Sequence, residues 1–328
     1  MMKKAKRISG ADGVRAGADG VRAGGRPTIA VVGATGLVGR TFLKVLTERA
    51  IEADYILFNR EGGAELAVCG RVCTTVALTA ENVRARRYDF ALFSAGSAVA
   101  AEFAPIFVEC GAVVIDNSSC FRRDADKELV VPEVNMGAVK NRGGIISNPN
   151  CTTIGAMVAL KPLDDAFGLR SVVYSTYQAI SGAGARPKFA WPIADNVIPY
   201  IDGEEAKMEF ETQKILGHAV TVWATCIRVP VRNCHTITIH AEFEGMVDEA
   251  GVREALGNGR GVVMLDDGRL PMPILVDGRD EVFVGRVRAR GHIVDMVICL
   301  DNIRKGAATN AVQIMQEIMY SLKAEGKK

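Results

Sequence analysis

The chain has 328 residues, a formal net charge of +2 and an apolar content of 48%. This length predicts about two domains, and the apolar content is sufficient for sizeable cores. The near-neutral charge argues against nucleic acid as the main partner, and no apolar run is long enough to span a bilayer. The 8 cysteines include no CxxC pair, so we predict no metal site and a reducing compartment, the cytoplasm.

Residues 1–26 differ in composition from the rest of the chain. Gly-Ala-Asp-Gly-Val-Arg-Ala occurs twice in tandem, at 10–16 and 17–23. The basic start is not followed by an apolar stretch, so it is not a secretory signal. Two glycine-rich copies are too few for a stacked repeat fold. We predict a flexible leader without catalytic function.

A strand, a glycine turn and a helix follow the leader. Residues 28–32 are mostly β-branched, and apolar residues recur at helical spacing after Gly39. Such a unit presents helix N–H groups to a phosphate. The spacing is GxxGxxG and not GxGxxG, so a purely structural turn is an alternative. The turn, which we predict to bind a dinucleotide, comprises Gly33, Ala34, Thr35, Gly36, Leu37, Val38 and Gly39.

The second predicted strand, residues 55–58, ends where the adenosine ribose of a dinucleotide is expected. Arg60 would contact a 2′-phosphate and favours NADP. Glu61 would accept a hydrogen bond from a free 2′-hydroxyl and favours NAD. The two residues favour different cofactors, so NADP is predicted with NAD as an alternative.

The pattern of the remaining elements predicts two kinds of sheet. Before residue 150, short strands alternate with helical segments, which indicates a Rossmann-type, doubly wound parallel sheet. After residue 150, longer strands with fewer helices indicate an α+β domain with a largely antiparallel sheet. A closing helix at 304–323 has one apolar side and is predicted to pack back on the first domain. Predicted β-like runs are 71–77, 90–94, 112–115, 145–147, 170–180, 220–229, 235–243, 282–287 and 293–300, and predicted helices are 99–110, 204–216 and 248–256.

Cys151 follows a polar turn and begins a helical apolar pattern. Asn150 is a good N-cap, which places Cys151 in the first helical turn. Unpaired N–H groups and the helix dipole favour a thiolate there. A buried structural cysteine is an equally good interpretation on helix position alone.

Motifs that carry chemistry lie along nearly the whole chain, from about Thr28 to Lys323. The motifs are Gly33-Ala-Thr-Gly-Leu-Val-Gly39, Ser94-Ala-Gly-Ser97, Val114-Ile-Asp-Asn-Ser-Ser-Cys-Phe-Arg122, Ser147-Asn-Pro-Asn-Cys151, Tyr177-Gln-Ala-Ile-Ser-Gly-Ala-Gly184, Arg228-Val-Pro-Val-Arg-Asn-Cys-His235 and Asp301-Asn-Ile-Arg-Lys-Gly-Ala-Ala-Thr-Asn-Ala-Val312. In their sequence and order these motifs resemble the aspartate-semialdehyde dehydrogenase family.

The resemblance implies reversible interconversion of L-aspartyl-4-phosphate and L-aspartate-4-semialdehyde, with NADPH as reductant and inorganic phosphate released. This reaction lies on the route to lysine (through diaminopimelate), methionine and threonine. It also implies a dinucleotide-binding domain at 27–150, to which 304–328 returns, and a catalytic and dimerisation domain at 151–303. A homodimer is expected, with a homotetramer as an alternative, and no membrane or nucleic-acid partner.

The resemblance assigns catalysis to Cys151, His235 and Gln178. Cys151 would be the nucleophile that forms a thioester, His235 the acid/base and Gln178 the residue that orients the intermediate. A lone histidine in a strand is more often structural, and a glutamine at a strand end also serves as a simple hydrogen-bond partner. The other histidines match no motif.

Five further residues match the family's substrate ligands. Arg228 would clamp the α-carboxylate bidentately, and Glu204 would bind the amino group. Lys207, Arg122 and Asn150 would bind phosphate. The alternative for Glu204 and Lys207 is a solvated i,i+3 pair, which Glu211 and Lys214 repeat. Arg123 is predicted to face solvent or to support its neighbour. Additional cofactor contacts are predicted at Ser94, Ala95, Gly96, Ser181, Gly182 and Asn310.

Two rival functions fit part of these observations. An N-acetyl-γ-glutamyl-phosphate reductase runs the same chemistry on a substrate without a free ammonium, which makes Glu204 an unhelpful acid. A catalytically silent nucleotide-binding paralogue would be expected to lack the cysteine or the histidine, and both are present.

Overall fold

A computed structural model describes residues 26–139, 144–184, 189, 191–266 and 268–325. Apart from Arg26, the predicted leader lies outside the described residues, and so does the end of the closing segment after Glu325. The described part contains two six-stranded sheets and a two-stranded hairpin.

The first sheet is parallel throughout, with the strand order β5-β2-β1-β6-β7-β8. This confirms the predicted doubly wound, Rossmann-type sheet. Its strands and the neighbouring hairpin are β1 Thr28–Val32, β2 Asp54–Asn59, β3 Glu65–Val68, β4 Arg71–Thr74, β5 Val76–Ala77, β6 Phe90–Phe93, β7 Val113–Asp116 and β8 Gly144–Ser147. Its helices are α1 Leu37–Glu48, α2 Ala80–Arg84, α3 Ser97–Glu109 and α4 Pro132–Asn135, with a 3₁₀ turn at Met136–Ala138.

Both faces of the first sheet are buried, which explains why its strands are continuously apolar. Along β1, Ile29 and Val31 face a core shared with α1, whereas Ala30 and Val32 face a core shared with α3. Side chains alternate between the two faces of a strand, so each strand contributes to both cores. The sheet is thereby enclosed between two helical layers.

The predicted run 71–77 is divided in the structure. Residues 71–74 form β4, which pairs antiparallel with β3, and only Val76–Ala77 joins the parallel sheet. Cys69 and Gly70 between β3 and β4 both have positive φ, as a tight hairpin requires. Uniform β-propensity along the run conceals this change of partner.

The second sheet has the order β10-β9-β11-β14-β13-β12. Its central pairs are antiparallel, as predicted, but β10 and β12 pair parallel at its two edges. The β9–β10 connection contains a helix, α6, as a parallel crossover needs. The elements are α5 Cys151–Phe167, β9 Leu169–Gln178, a 3₁₀ helix Ile180–Ala183, α6 Glu204–Leu216, β10 Thr221–Arg228, β11 His235–Phe243, α7 Glu249–Gly257, β12 Val262–Met264, α8 Pro273–Val276, β13 Val282–Arg290 and β14 Ile293–Leu300.

One face of the second sheet is covered and the other is open. The covered face packs in a core with α5, α6 and α7, to which Ile154, Met208 and Tyr174 belong. On the opposite face Val173, Trp223 and other apolar side chains are exposed. This sheet therefore has a dry side towards the helices and an exposed side on which apolar residues such as Val173 and Trp223 lie among polar and charged ones.

The predicted closing helix consists of two parts. Arg304–Thr309 forms a π-helix, in which the N–H groups of Gly306 and Ala308 donate to carbonyls five residues earlier, and α9 spans Asn310–Glu325. Residues of α9, such as Ile314 and Met315, are buried in the same core as β1 and α1. A single π turn of this kind is common at functional sites.

Lys305 of the π-helix is fully buried. Its ammonium group donates to Glu133 Oε2 at 2.7 Å, Asn310 Oδ1 at 3.0 Å and Gln313 Oε1 at 2.7 Å. Burial lowers the pKa of Lys305, and the Glu133 carboxylate opposes this shift. Burial also disfavours the Glu133 carboxylate, yet Lys305 holds its pKa below the ordinary value. This pair ties the π-helix to α4.

We expect Glu133→Ala to reduce the free energy of unfolding by about 3–5 kcal/mol, because it leaves the Lys305 ammonium buried without a counter-charge. Urea unfolding measures the change. Glu109→Ala is the control, because its ion pair with Arg84 is exposed and should contribute about 0–1 kcal/mol. Equal effects of the two substitutions would contradict the prediction.

Candidate active site

The turns after β1 and β6 meet at the carboxyl edge of the first sheet. The two strands are neighbours from which the chain continues to opposite sides, the usual place of a dinucleotide crevice. Gly33 has φ +81°, and a Cβ on it would lie 2.3 Å from the Ser94 carbonyl oxygen. A Cβ on Gly39 would lie 2.1 Å from the Gly33 carbonyl oxygen. Only glycine permits these close approaches.

The start of α1 is suited to a phosphate. Its N-cap, Gly36, provides no side-chain hydrogen bond, so the first N–H groups of the helix have no side-chain acceptor from the cap. Around them, Thr35 and Val38 are partly exposed and Leu37 is exposed, whereas Ala34 is buried. The predicted contacts at Ser94, Ala95 and Gly96 follow β6 beside this turn. The chain's own residues therefore fit a dinucleotide pyrophosphate.

The residues at the predicted ribose position do not select one cofactor. Arg60 and Glu61 follow β2, the neighbour of β1, and both are exposed. The guanidinium and the carboxylate are both accessible, so their exposure favours neither the NADP nor the NAD prediction.

Cys151 and His235 lie in contact. Cys151 is the first residue of α5, and the side chain of Asn150 caps this helix by accepting from Thr152 N at 2.9 Å. His235 is the first residue of β11 and is fully buried. Cys151 Sγ lies 3.2 Å from His235 Nε2. Two residues 84 positions apart thus form a hydrogen-bonded pair.

The backbone determines which nitrogen of His235 carries the proton. Ala179 N–H donates to His235 Nδ1 at 3.0 Å, so Nδ1 is an acceptor. A neutral imidazole then carries its hydrogen on Nε2, directed at the Cys151 sulfur. Ala179 also accepts a 2.7 Å hydrogen bond from Arg228 Nη1 through its carbonyl oxygen. One residue therefore positions both the imidazole and the guanidinium.

Burial keeps both partners of the pair neutral. It raises the pKa of Cys151 to about 12, and the Glu204 carboxylate adds to this effect while Arg122 and Arg228 oppose it. Burial and the Arg228 charge lower the pKa of His235 to about 3. Desolvation therefore opposes the thiolate that the helix start is expected to favour.

Glu204 lies at the centre of the predicted substrate ligands and is 7% exposed. Its Oε1 accepts from Lys207 Nζ at 2.7 Å, and its Oε2 accepts from Asn150 Nδ2 at 2.8 Å. Gln178 Nε2 donates to the same Oε2 at 3.4 Å. The i,i+3 pair is therefore formed, but its carboxylate is buried in the site and not solvated.

Arg122 reaches the same region from the first domain's side. Its Nη1 donates to Glu211 Oε1 at 2.9 Å and its Nη2 to the Asn117 carbonyl oxygen at 3.0 Å. Its Nε is buried and has no hydrogen-bond partner among the described residues. A cavity of about 290 Å³ adjoins it, lined by Ser119, Arg122, Arg123, Gly203, Ala206, Lys207, Phe210 and Glu211.

One prediction about a neighbouring charge changes in the structure. Lys214 does not pair with Glu211 as Lys207 pairs with Glu204, because its ammonium donates to the carbonyl oxygens of Arg122 and Asp124. Arg123 is exposed, as predicted, and its guanidinium lies 4.7 Å from the centroid of the Phe210 ring, at the wall of the cavity. Glu211 was overlooked as a site residue, although its i,i+7 spacing from Glu204 places both on one helical face.

The other residues predicted to contact the cofactor lie in two different places, beside the catalytic pair and in the interior of the protein. Gly182 is exposed beside the catalytic pair, since a Cβ on it would lie 3.1 Å from His235 Nε2. Ser181 Oγ donates to Asn233 Oδ1 at 2.9 Å. Asn310 is fully buried, and its amide bonds Val130, Asn148 and Lys305. A cofactor contact by Asn310 stays a prediction, since its amide is already engaged within the protein.

Gly306 is a further residue of the site that sequence reasoning did not identify. It belongs to the π-helix, and a Cβ on it would lie 2.8 Å from Cys151 Cβ. The π-helix thus packs its glycine against the first residue of α5. The glycine lies within the quoted Asp301–Val312 motif, but its packing partner is distant in sequence.

Comparison with known proteins extends over both halves of the chain. Residues 28–142 match the family described as semialdehyde dehydrogenase, NAD binding domain, and residues 160–305 match semialdehyde dehydrogenase, dimerisation domain. An aspartate-semialdehyde dehydrogenase from Aquifex aeolicus is 45% identical over 88% of this chain and 96% of its own length. The chain belongs to the aspartate-semialdehyde dehydrogenase family.

Solved structures agree with this assignment. Aspartate semialdehyde dehydrogenase II from Vibrio cholerae has a TM-score of 0.84 and 37% identity, covering 90% of this chain and 99% of that one. A Candida albicans aspartate semialdehyde dehydrogenase solved with NADP has a TM-score of 0.76 and 27% identity, with the same coverage. The predicted family and fold class are confirmed, and neither rival function is supported. Among the described residues, no helix is both long and apolar enough to cross a membrane.

We expect Gly306→Ala to slow alkylation of Cys151 at least about tenfold, because the added methyl group must displace the cysteine or the π-helix. Peptide-resolved mass spectrometry after iodoacetamide treatment measures the rate at Cys151 alone. Gly257→Ala is the control, since a Cβ there meets no atom within 4 Å. The same rate in both variants would refute this packing constraint.

The pH dependence of the same reaction tests the neutral pair. With a Cys151 pKa of about 12, the thiolate fraction should rise about tenfold per pH unit from pH 7 to pH 9.5. With a His235 pKa of about 3, no inflection should appear near pH 6.5. A rate that is already constant above pH 6 would instead indicate a thiolate–imidazolium pair and contradict the prediction.

Proposed function

We propose that the protein catalyses the reductive dephosphorylation of L-aspartyl-4-phosphate to L-aspartate-4-semialdehyde with NADPH. The observation that carries this proposal is the 3.2 Å contact between Cys151 Sγ and His235 Nε2, with Glu204 and Arg228 at its rim. The relatives that share its fold carry the name of this activity. The reaction supplies the biosynthesis of lysine, methionine and threonine.

The residues that would bind the substrate form hydrogen bonds to one another or to the backbone. Arg228 would exchange its carbonyl partner for the α-carboxylate. The substrate ammonium would replace Lys207 at Glu204, and Lys207 would then be free to bind the phosphate. The unpartnered Arg122 Nε offers a further donor to the phosphate. An N-acetylated substrate has no positive charge to pair with the buried Glu204 carboxylate, and this disfavours the reductase alternative.

Two arginines favour the thiolate form of the nucleophile. Burial and the Glu204 carboxylate raise the pKa of Cys151, whereas Arg122 and Arg228 oppose this shift. Glu204 is already paired with Lys207, so a substrate ammonium in place of Lys207 would leave the Glu204 charge paired as before. A thiolate formed at Cys151 would accept a hydrogen bond from His235 Nε2–H.

The chemical steps then balance without a change in the protonation state of His235. The thiol proton passes to an oxygen of the substrate phosphate as the sulfur forms a bond to the acyl carbon, and the carbon–oxygen bond to phosphate breaks, so the proton leaves with the phosphate. NADPH supplies a hydride to the acyl carbon when it is bound. His235 Nε2–H stabilises the resulting alkoxide, whose collapse releases the aldehyde and the thiolate, and solvent restores the thiol proton. His235 Nε2–H is placed to donate to this alkoxide, and the acid/base role of His235 and the orienting role of Gln178 stay predictions.

We also infer the predicted domain division, with 27–150 and 304–328 forming one unit and 151–303 the other. The burial of α9 residues beside β1 supports it. The match of 160–305 to a dimerisation domain supports a homodimer, and the open sheet face with exposed Val173 and Trp223 is its natural interface. A homotetramer has no such support. Eight free cysteines suit the cytoplasm.

The proposal is tested by assaying oxidation of aspartate semialdehyde in a buffer without phosphate. Addition of phosphate should start turnover, and Cys151→Ala should lower it at least about 10⁴-fold, because no thioester can form. Parallel assays with NADP⁺ and NAD⁺ decide between the predictions from Arg60 and Glu61. Turnover that does not depend on phosphate, or a fully active Cys151→Ala enzyme, would overturn the proposal.

A further inference from the structure

The geometry points to Glu211 as a positioning residue that aims Arg122 at the phosphate and links it to the helix of Cys151. Glu211 is 1% exposed, so its carboxylate is held in the interior. Buried carboxylates persist where each oxygen has a partner. This inference rests on the proposed function, because it assumes that phosphate binds beside Arg122.

Each oxygen of Glu211 serves a different part of the site. Oε1 accepts from Arg122 Nη1 at 2.9 Å, and Oε2 accepts from the Asn150 backbone N–H at 2.7 Å. Asn150 directly precedes Cys151 and caps its helix. The carboxylate therefore connects the phosphate-binding arginine to the residue before the nucleophile.

The remaining bonds of Arg122 explain why its orientation matters. Asn117 accepts from Nη2, so two sides of the planar guanidinium are held within the protein. The third nitrogen, Nε, is buried and without a partner among the described residues. Arg122 lines the cavity of about 290 Å³ together with Lys207. Because both Nη atoms are held within the protein, the orientation of Nε is fixed and its N–H is left for a ligand oxygen.

The arrangement also predicts that glutamine cannot replace Glu211. Both of its partners are donors, and a glutamine amide offers one acceptor oxygen and one NH₂ group. One of the two contacts would therefore become a donor–donor clash. Aspartate keeps two acceptors on a shorter side chain and should restore part of the function.

The test compares Michaelis constants for oxidation of aspartate semialdehyde with NADP⁺ at varied phosphate. Glu211→Gln should raise KM for phosphate about ten- to hundredfold, the equivalent of one lost charged hydrogen bond. KM for aspartate semialdehyde should stay within about twofold. Glu211→Asp should give an intermediate KM for phosphate. Glu209→Gln, a partly exposed residue of the same helix, is the matched control and should leave both constants unchanged.

A double variant shows whether Glu211 acts through Arg122. Arg122→Gln combined with Glu211→Gln should raise KM for phosphate no further than Arg122→Gln alone. Thermal unfolding reports the stability of each variant. If Glu211→Gln does not fold, Glu211→Asp is compared with the wild type in its place. An unchanged phosphate KM in a destabilised variant would make Glu211 purely structural. A lower phosphate KM would make it only a neutralising charge, and either result overturns the inference.

A wild-type enzyme that shows no phosphate-dependent oxidation would instead refute the proposed function. Failure of the positioning role leaves wild-type turnover intact, so the two outcomes are distinguishable.

Discussion

The start of helix α5 is the constraint on which the rest of the site depends. Cys151 is its first residue, so the position of the sulfur follows from how that helix begins. Asn150 caps the helix, Gly306 packs against it, and His235 approaches its sulfur from β11. The Asn150 cap is local, but the contacts of Gly306 and His235 come from segments far apart in the chain and require the fold to be in place. The nucleophile is thus positioned by the whole fold.

The charged side chains of this site are bonded to other residues of the same site. Glu204 bonds Lys207 and Asn150, and Arg122 bonds Glu211. Charged groups out of water are stable only when paired, and here the charged residues of the site satisfy one another. A substrate with matching charges exchanges these bonds for its own at little additional desolvation cost. Specificity then arises from the requirement that every displaced partner find a new one.

The neutral Cys151–His235 pair shows how burial overrides a local rule. A helix start favours a thiolate, and a histidine near neutrality is a ready base. Both expectations hold for groups in contact with water. In this site desolvation raises one pKa and lowers the other, and the Ala179 N–H determines the imidazole tautomer. The pair therefore consists of a neutral hydrogen-bond donor at Nε2 and a neutral thiol.

Local periodicity was sufficient for most strands of both sheets, the glycine turn at Gly33 and the cap at Asn150, because these features depend on neighbours in the chain, but it missed β12. Motif resemblance added Cys151, His235 and the ligands around them. The tertiary structure alone decided the division of 71–77, the π-helix at Gly306, the partners of Glu211 and the protonation of His235. Each of these depends on an atom from a distant segment or on the exclusion of water, and neither is encoded in local sequence.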